Sequence, residues 1–313
     1  SNLPPDQDAA GYGKGQVDTM ISEISSTTKS GERLTIELRD PYSSGIAIKE
    51  ITGLGPVKAD LSMDRYALID GAFLKGVRVG TRNVVLTLIP WGEDIQQLRR
   101  KLYKYFGVSE TISLEVITDW VSAKSDFIVE SVEPNIFSER QEIQVSLIGL
   151  DPYWKASSSQ IQKVVGFNDT VPMFEFPFYS QDNHKLVFGD MTNSTGKDIR
   201  YLGDAASGAI ITCTFNGTVG NLIISNTTYD ETMTISKAGQ FYAGEQLMID
   251  TRPGKKSIVH SAGGKTSYIT GVLAAGSDWI QMHPGVNTIA LQYSGGSEDL
   301  SVSIEYETLY RGI

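Results

Sequence analysis

Cysteine is nearly absent: Cys213 is the only one in 313 residues, so neither an internal disulfide nor a cysteine-based metal cluster can form. Its neighbours Ile211, Thr212 and Thr214 read as a strand, which makes it a small apolar residue of that strand. Histidine is also scarce, and His184, His260 and His283 share no metal-ligand spacing. No apolar run approaches the roughly 20 residues that span a bilayer. The opening Ser1-Asn2-Leu3-Pro4-Pro5-Asp6 has no basic start and no apolar stretch, so no secretory signal is expected. Without that signal, the sequons at Asn168, Asn193, Asn216 and Asn226 read as accidents of Thr- and Asn-rich loops. A basic excess is missing too. Lys plus Arg number 27 against 37 Asp plus Glu, a formal charge of -10. Duplex binding needs a basic face that displaces counterions, so nucleic acid and anionic membrane are both poor partners for this chain.

What is present is globular: 40% hydrophobic and 20% charged residues exclude wholesale disorder. Residues 1–31 are polar and rich in Gly, Ser and Thr, and are expected to be an arm. From Glu32 the pattern becomes strict alternation, with Leu34, Ile36 and Leu38 on one side of a strand. Further strands are expected at 45–48, 57–61, 83–89, 111–117, 127–132 and 142–148, a half-buried antiparallel pattern. One segment departs from it. Ile95, Leu98, Leu102 and Phe106 stand at helical spacing, Asp94 and Gln97 fit a capping box, and Gly107 stands where a left-handed cap belongs. A single helix over 94–107 follows.

A polar stretch, 155–160, then separates the halves, with a hinge expected at Ser157–Ser159. Beyond it come short strands at 222–225, 233–236, 246–251, 257–260, 267–270, 278–282, 288–293 and 300–306, divided by turns such as Arg252-Pro253-Gly254-Lys255. The expected fold is all-β with one helix: a β-sandwich over 32–153 and a jelly-roll or galectin-like β-sandwich over 154–313.

No chemistry stands out. Ser257 near His260 makes a weak nucleophile pair, since there is no Gly-x-Ser-x-Gly elbow. Gly11, Gly13 and Gly15, or Gly53 and Gly55 before Pro56, lack the strand-to-helix context of a phosphate cradle and read as turn glycines. The numerous carboxylates read as solvated strand faces rather than a glycosidase pair. Arg99-Arg100-Lys101 on the helix is either a solvated face or a protein contact. Tyr268 and Trp279 could stack on sugar, although alternation places Trp279 as readily in the core. No catalytic, cofactor-binding or metal residue is expected.

Several stretches together resemble the siphophage distal tail protein (Dit) family. They are Ile51-Thr52-Gly53-Leu54-Gly55-Pro56-Val57-Lys58-Ala59, the run Asp70 to Asn83 leading into Val84-Val85-Leu86-Thr87-Leu88, the helix end Leu102-Tyr103-Lys104-Tyr105-Phe106, and Asp151-Pro152-Tyr153-Trp154. In the second half they are Ile249 to Ser257, Trp279-Ile280-Gln281-Met282, Pro284-Gly285-Val286-Asn287 and Tyr306 to Ile313. The resemblance covers roughly 32–313. It implies a belt domain that closes into a homohexameric ring around the tail channel, and an outward galectin-like domain. It also implies tail tube, tail-tip and receptor-binding proteins as partners, no enzyme activity, and a place at the distal end of a virion tail assembled in the host cytoplasm. On this reading 32–152 form the ring, with the helix and Arg78-x-x-x-Arg82 as contact elements. The alternative is a carbohydrate-binding module protein that recognises the host surface, with a glycan hydrolase third.

Overall fold

The computed structural model describes residues 21–66, 70–92, 94–135, 137, 141–157, 162–165 and 192–313. Residues 1–20 of the expected arm lie outside these, as do Gly11, Gly13, Gly15, Asn168, His184 and positions 158–159 of the expected hinge. The chain divides into two compact units. The first runs through Leu54 and from Asp60 to Asp151; the second takes Gly55–Ala59 together with Pro152–Ile313.

The first unit contains β1 (Ile21–Thr28), β2 (Arg33–Glu37), the single turn α1 (Pro41–Ser44), β3 (Ile46–Thr52), β4 (Ala59–Arg65), β5 (Ala72–Val79), β6 (Arg82–Pro90), α2 (Ile95–Tyr105), β7 (Thr111–Thr118), β8 (Ser122–Asn135) and β9 (Glu142–Gly149). Its main sheet is antiparallel in the order β2-β1-β7-β8-β9-β6-β3. The two end strands, β2 and β3, both pack on α1, so the expected sandwich is one sheet folded over its own core. Val84, Leu86 and Leu88 of β6 and Ile112, Leu114 and Val116 of β7 fill that core. Fully burying each such side chain is worth about 1.5–3 kcal/mol.

Residues 21–28, read in the sequence as part of a polar arm, are instead an interior strand of this sheet. Ile24 pairs with Ile36 on one side and Val116 on the other, and is buried. The seryl and threonyl residues around it hide the alternation.

The helix is where its periodicity places it. Asp94 caps it, accepting the Gln97 N–H at 2.9 Å. Its end differs from the expected left-handed cap: Phe106 closes it in a non-helical, negative-φ conformation, donating its N–H to the Leu102 carbonyl at 2.8 Å. Gly107 follows without a left-handed φ, and a Cβ there would meet only the exposed Glu110 side chain, 2.8 Å away and free to move.

The second unit contains β10 (Trp154–Ala156), β11 (Gln162–Val165), β12 (Thr192–Tyr201), β13 (Ser207–Phe215), β14 (Gly220–Asn226), β15 (Glu231–Ile235), β16 (Gln246–Asp250), β17 (Ser257–Ala262), β18 (Lys265–Tyr268), β19 (Gln281–Met282), β20 (Gly285–Ser294), β21 (Leu300–Tyr306) and β22 (Leu309–Tyr310). One sheet runs β11-β21-β13-β16-β17-β18, with β19 beside β13, and a four-stranded sheet runs β12-β20-β14-β15. Ile211, Leu247 and Ile249 from the first sheet and Ile224, Met233 and Leu291 from the second share one core. Cys213 sits in it, fully buried, with its thiol pushed up to about 12 by desolvation.

The strand expected at 278–282 shrinks to Gln281–Met282. Asp278 donates its N–H to Thr232 O at 2.8 Å, and the Ala274 N–H goes to Thr234 O at 2.9 Å, so this stretch covers the edge of β15 as a loop. Asn226 is completely buried and donates to Asn287 Oδ1 at 2.9 Å, which removes its sequon from the surface. Among the described residues no helix is long and apolar enough to cross a membrane.

Candidate interaction surfaces

The main sheet of the first unit ends its Gly53–Leu54 turn against Arg82. Gly53 holds a left-handed φ of 86°, and a Cβ there would collide with the Asn83 carbonyl. The buried Arg82 guanidinium donates to Gly53 O at 2.7 Å and to Leu54 O at 3.2 Å. Arg82 therefore anchors a turn and is not available to a neighbouring copy, contrary to the contact role expected of the Arg78-x-x-x-Arg82 segment. Arg78 does point outward: its side chain is 85% exposed, 3.9 Å from Asp60.

Arg78 belongs to a feature that alternation did not reveal. β4 and β5 form a two-stranded ribbon apart from the main sheet. Every residue from Asp60 to Arg65 and from Ala72 to Val79 is exposed. Lys75 and Asp64 meet at 2.6 Å, and the rings of Tyr66 and Phe73 are 5.3 Å apart. This register puts Leu61, Met63 and Leu74 on one face of the ribbon. Tyr66, Phe73 and Val77 lie on the other. The strand β5 was missed because neither face is buried, so no in–out contrast marks it.

A second surface lies on the outer face of the main sheet. Glu50, Thr87, Gln144 and Glu133 are successive cross-strand neighbours on β3, β6, β9 and β8. With Lys49, Asn135 and Glu142 they line a cleft of about 500 Å³. Lys49 is taken by Glu142 at 2.7 Å, while Glu50 and Glu133 have no ion pair among the described residues. On α2, Arg100 and Lys101 are exposed and Arg99 is half-buried. Lys104 pairs with Glu32 at 2.8 Å.

The second unit brings its two described histidines to carboxylates. His260 Nε2 is 2.9 Å from Glu245 Oε2, and His283 Nε2 is 2.7 Å from Glu231 Oε1. Desolvation alone would raise the Glu245 carboxyl, but hydrogen bonds from His260 and Lys237 outweigh it and hold the group below its ordinary value. Among the described residues no hydroxyl or thiol bonds either imidazole, Ser257 included. These residues also contain no group of three or more His, Cys, Asp or Glu able to hold a metal. Tyr268 is 79% exposed on β18. Trp279 packs on the core instead, with Lys256 Nζ 5.6 Å above its ring, so the two aromatics do not make a matched stacking pair.

Residues 202–310 match the family model described as siphovirus-type tail component, C-terminal domain. No curated protein sequence matches the chain. Among solved structures, SPP1 Dit (gp 19.1), described as a paradigm of hub adsorption apparatus in Gram-positive-infecting phages, aligns at TM-score 0.57 and 13% identity. The alignment covers 91% of this chain and 98% of that one. A component of the phage P2 baseplate in its Ca-activated conformation aligns at TM-score 0.42 and 9% identity, over 93% of this chain and 98% of that one. Residues 202–310 of the second unit thus match a siphovirus-type tail component C-terminal domain, and the chain as a whole shares the fold of SPP1 Dit.

Proposed function

We propose that this chain is a structural hub of a siphophage tail, which closes into a hexameric ring joining the tail tube to the baseplate or tail tip. The observation that carries the reading is the fold shared with SPP1 Dit over 91% of the chain, together with the tail-component match at 202–310. The chemistry agrees. Among the described residues the histidine–carboxylate pairs bond no nucleophile, and an acidic chain of net charge -10 repels the DNA that passes along a tail. A ring needs no catalytic residue. It needs a rigid sheet with two unlike surfaces, because a head-to-tail contact closes when the rotation per subunit fits.

In this role the chain is part of the virion tail, assembled in the host cytoplasm. Its partners are further copies of itself, the tail tube protein, and tip or receptor-binding proteins. Negative-stain imaging and native mass spectrometry test the reading: six-fold rings with a central opening, or masses in multiples of six, are expected. A monomer at micromolar concentration and moderate salt counts against it. The exposed Tyr268 keeps a sugar-binding reading in play, which glycan binding by a monomeric chain would favour.

A further inference from the structure

The sequence holds a single Asn-Gly pair, Asn216-Gly217. It stands in the turn between β13, which ends at Phe215, and β14, which starts at Gly220. A glycine after asparagine has no Cβ to shield its amide nitrogen. That nitrogen can therefore attack the asparagine Cγ with little hindrance. The pair is within reach of water, with Asn216 exposed and Gly217 half-buried.

The next turn over, residues 295–299 between β20 and β21, occupies both partners of that reaction. Phe215 of β13 pairs with Leu300 of β21, which sets the two turns side by side. The Asp299 carbonyl accepts the Asn216 N–H at 2.7 Å and the Gly217 N–H at 3.2 Å. Asn216 Nδ2 donates to Glu298 O at 3.1 Å and to Ser301 Oγ at 3.0 Å. Asp299 is fixed in turn: Gly296 donates its N–H to Asp299 Oδ2 at 2.6 Å, and the Asp299 N–H goes to Gly296 O at 3.0 Å. Gly217 fits here because a Cβ would collide with the Asp299 carboxylate. The attacking nitrogen and the departing amide are thus tied to one element, and both must be released before ring closure.

We infer that Asn216 is a deamidation site whose rate is set by opening of the 295–299 turn. Gly217 N forms a bond to Asn216 Cγ and gives its proton to solvent base. The Cγ–Nδ2 bond breaks, and Nδ2 leaves as ammonia. Water then opens the five-membered imide to aspartate or β-linked isoaspartate. The new carboxylate has no N–H to offer the Glu298 carbonyl, so acceptor faces acceptor and the turn does not close as before. Each conversion adds one negative charge and records an opening of the second unit's surface.

The test incubates the full chain at mildly alkaline pH, native and in urea. Conversion is followed by ion exchange and by mass spectrometry of the peptide that holds Asn216. The native rate should be at least about tenfold below the rate in urea, because several hydrogen bonds must open together. Ser301→Ala removes one acceptor of Nδ2 and should speed native conversion several-fold while circular dichroism stays that of the parent. Asn216→Gln should abolish the signal, since its longer side chain does not close the five-membered ring. Equal rates in the native and urea samples overturn the inference. So does a folded Ser301→Ala variant no faster than the parent, and so does a pair that fails to convert even in urea.

Discussion

Tyr201 accepts the Leu309 N–H on its hydroxyl at 2.9 Å and donates that hydroxyl to the Ala205 carbonyl at 2.8 Å. One phenol thus ties the end of β12 to β22, the last strand of the second unit. Gly203 leaves room for it, since a Cβ there would land on the hydroxyl and on the Leu309 carbonyl. Tyr306 packs edge-on against the same ring, 5.7 Å between centroids.

Tyr201→Phe is expected to destabilise the second unit by about 1–3 kcal/mol, the cost of leaving a buried N–H and a carbonyl without their partner. Burial pushes the hydroxyl of Tyr201 up to about 12, above its ordinary value near 10. The fold therefore holds the neutral phenol. Its contribution is complete below the ordinary value and is lost as pH rises through the raised one. Thermal unfolding of parent and variant should differ most at neutral pH and converge in strong alkali. Equal melting temperatures at neutral pH would sink the proposed clamp.

Two glycines with nearly the same backbone conformation should respond differently to alanine. Gly31 and Gly53 have φ of 87° and 86°. Around Gly31 nothing lies within 4 Å of a built Cβ, whereas at Gly53 the Asn83 backbone blocks it. Gly31→Ala should cost only the left-handed strain, about 1–2 kcal/mol. Gly53→Ala must also displace the turn that Arg82 holds, and should cost clearly more. Denaturant midpoints for the two variants decide this, and equal midpoints would show that the Gly53–Arg82 anchor is unimportant.

Glu245 makes the second unit sensitive to acid. Its carboxyl is held below the ordinary value by His260 and Lys237 against the opposing pull of burial. A lowered carboxylate stabilises above its unfolded value and loses that contribution as pH falls through the folded one. Glu245→Gln should therefore flatten the acid side of a stability-against-pH profile while changing little on the alkaline side. An unchanged acid limb would assign the sensitivity elsewhere, with Asp250 the next group to examine. Desolvation raises Asp250, but the Arg252 guanidinium overcomes this at 2.6 Å and leaves it lowered.

How far each element could be read from the sequence follows from what it buries. β6, β9 and β21 each bury alternate residues, and their alternation is plain. α2 is plain for the same reason at the helical period, with Leu102 and Phe106 buried. β1 buries Ser25 and Ser26 beside Ile24, so its polar composition imitates an arm. In the ribbon, β4 overlaps the strand expected at 57–61, whereas β5 buries no residue and shows no in–out contrast. Arg82 looked like a surface charge because the groups that hold it include the Gly53 and Leu54 backbone carbonyls, which sequence does not mark. The family likeness pointed to the 70–83 stretch, but only coordinates separated its exposed Arg78 from its buried Arg82.

A fragment of residues 32–152 looks from sequence like a self-sufficient ring former, and the structure predicts that it fails. Removing residues before Glu32 deletes β1, which lies between β2 and β7 and pairs with both. Two strands would then expose unpaired edges, and the Ile24 site in the core would stand empty. An open edge beside exposed apolar surface is a template for aggregation. The complementary fragment of residues 160–313 loses different support. It lacks Gly55–Ala59, which cluster with the second unit, where Gly55 and Pro56 lie close against Gly312. It also lacks β10, whose Trp154 is fully buried and pairs with Tyr310. Expression of both fragments beside the full chain, followed by light scattering and circular dichroism, tests this. The 32–152 fragment should be insoluble or molten, and extending it back to Ile21 should recover sheet structure. If the shorter fragment is folded and cooperative, β1 is dispensable and the sheet must close without it.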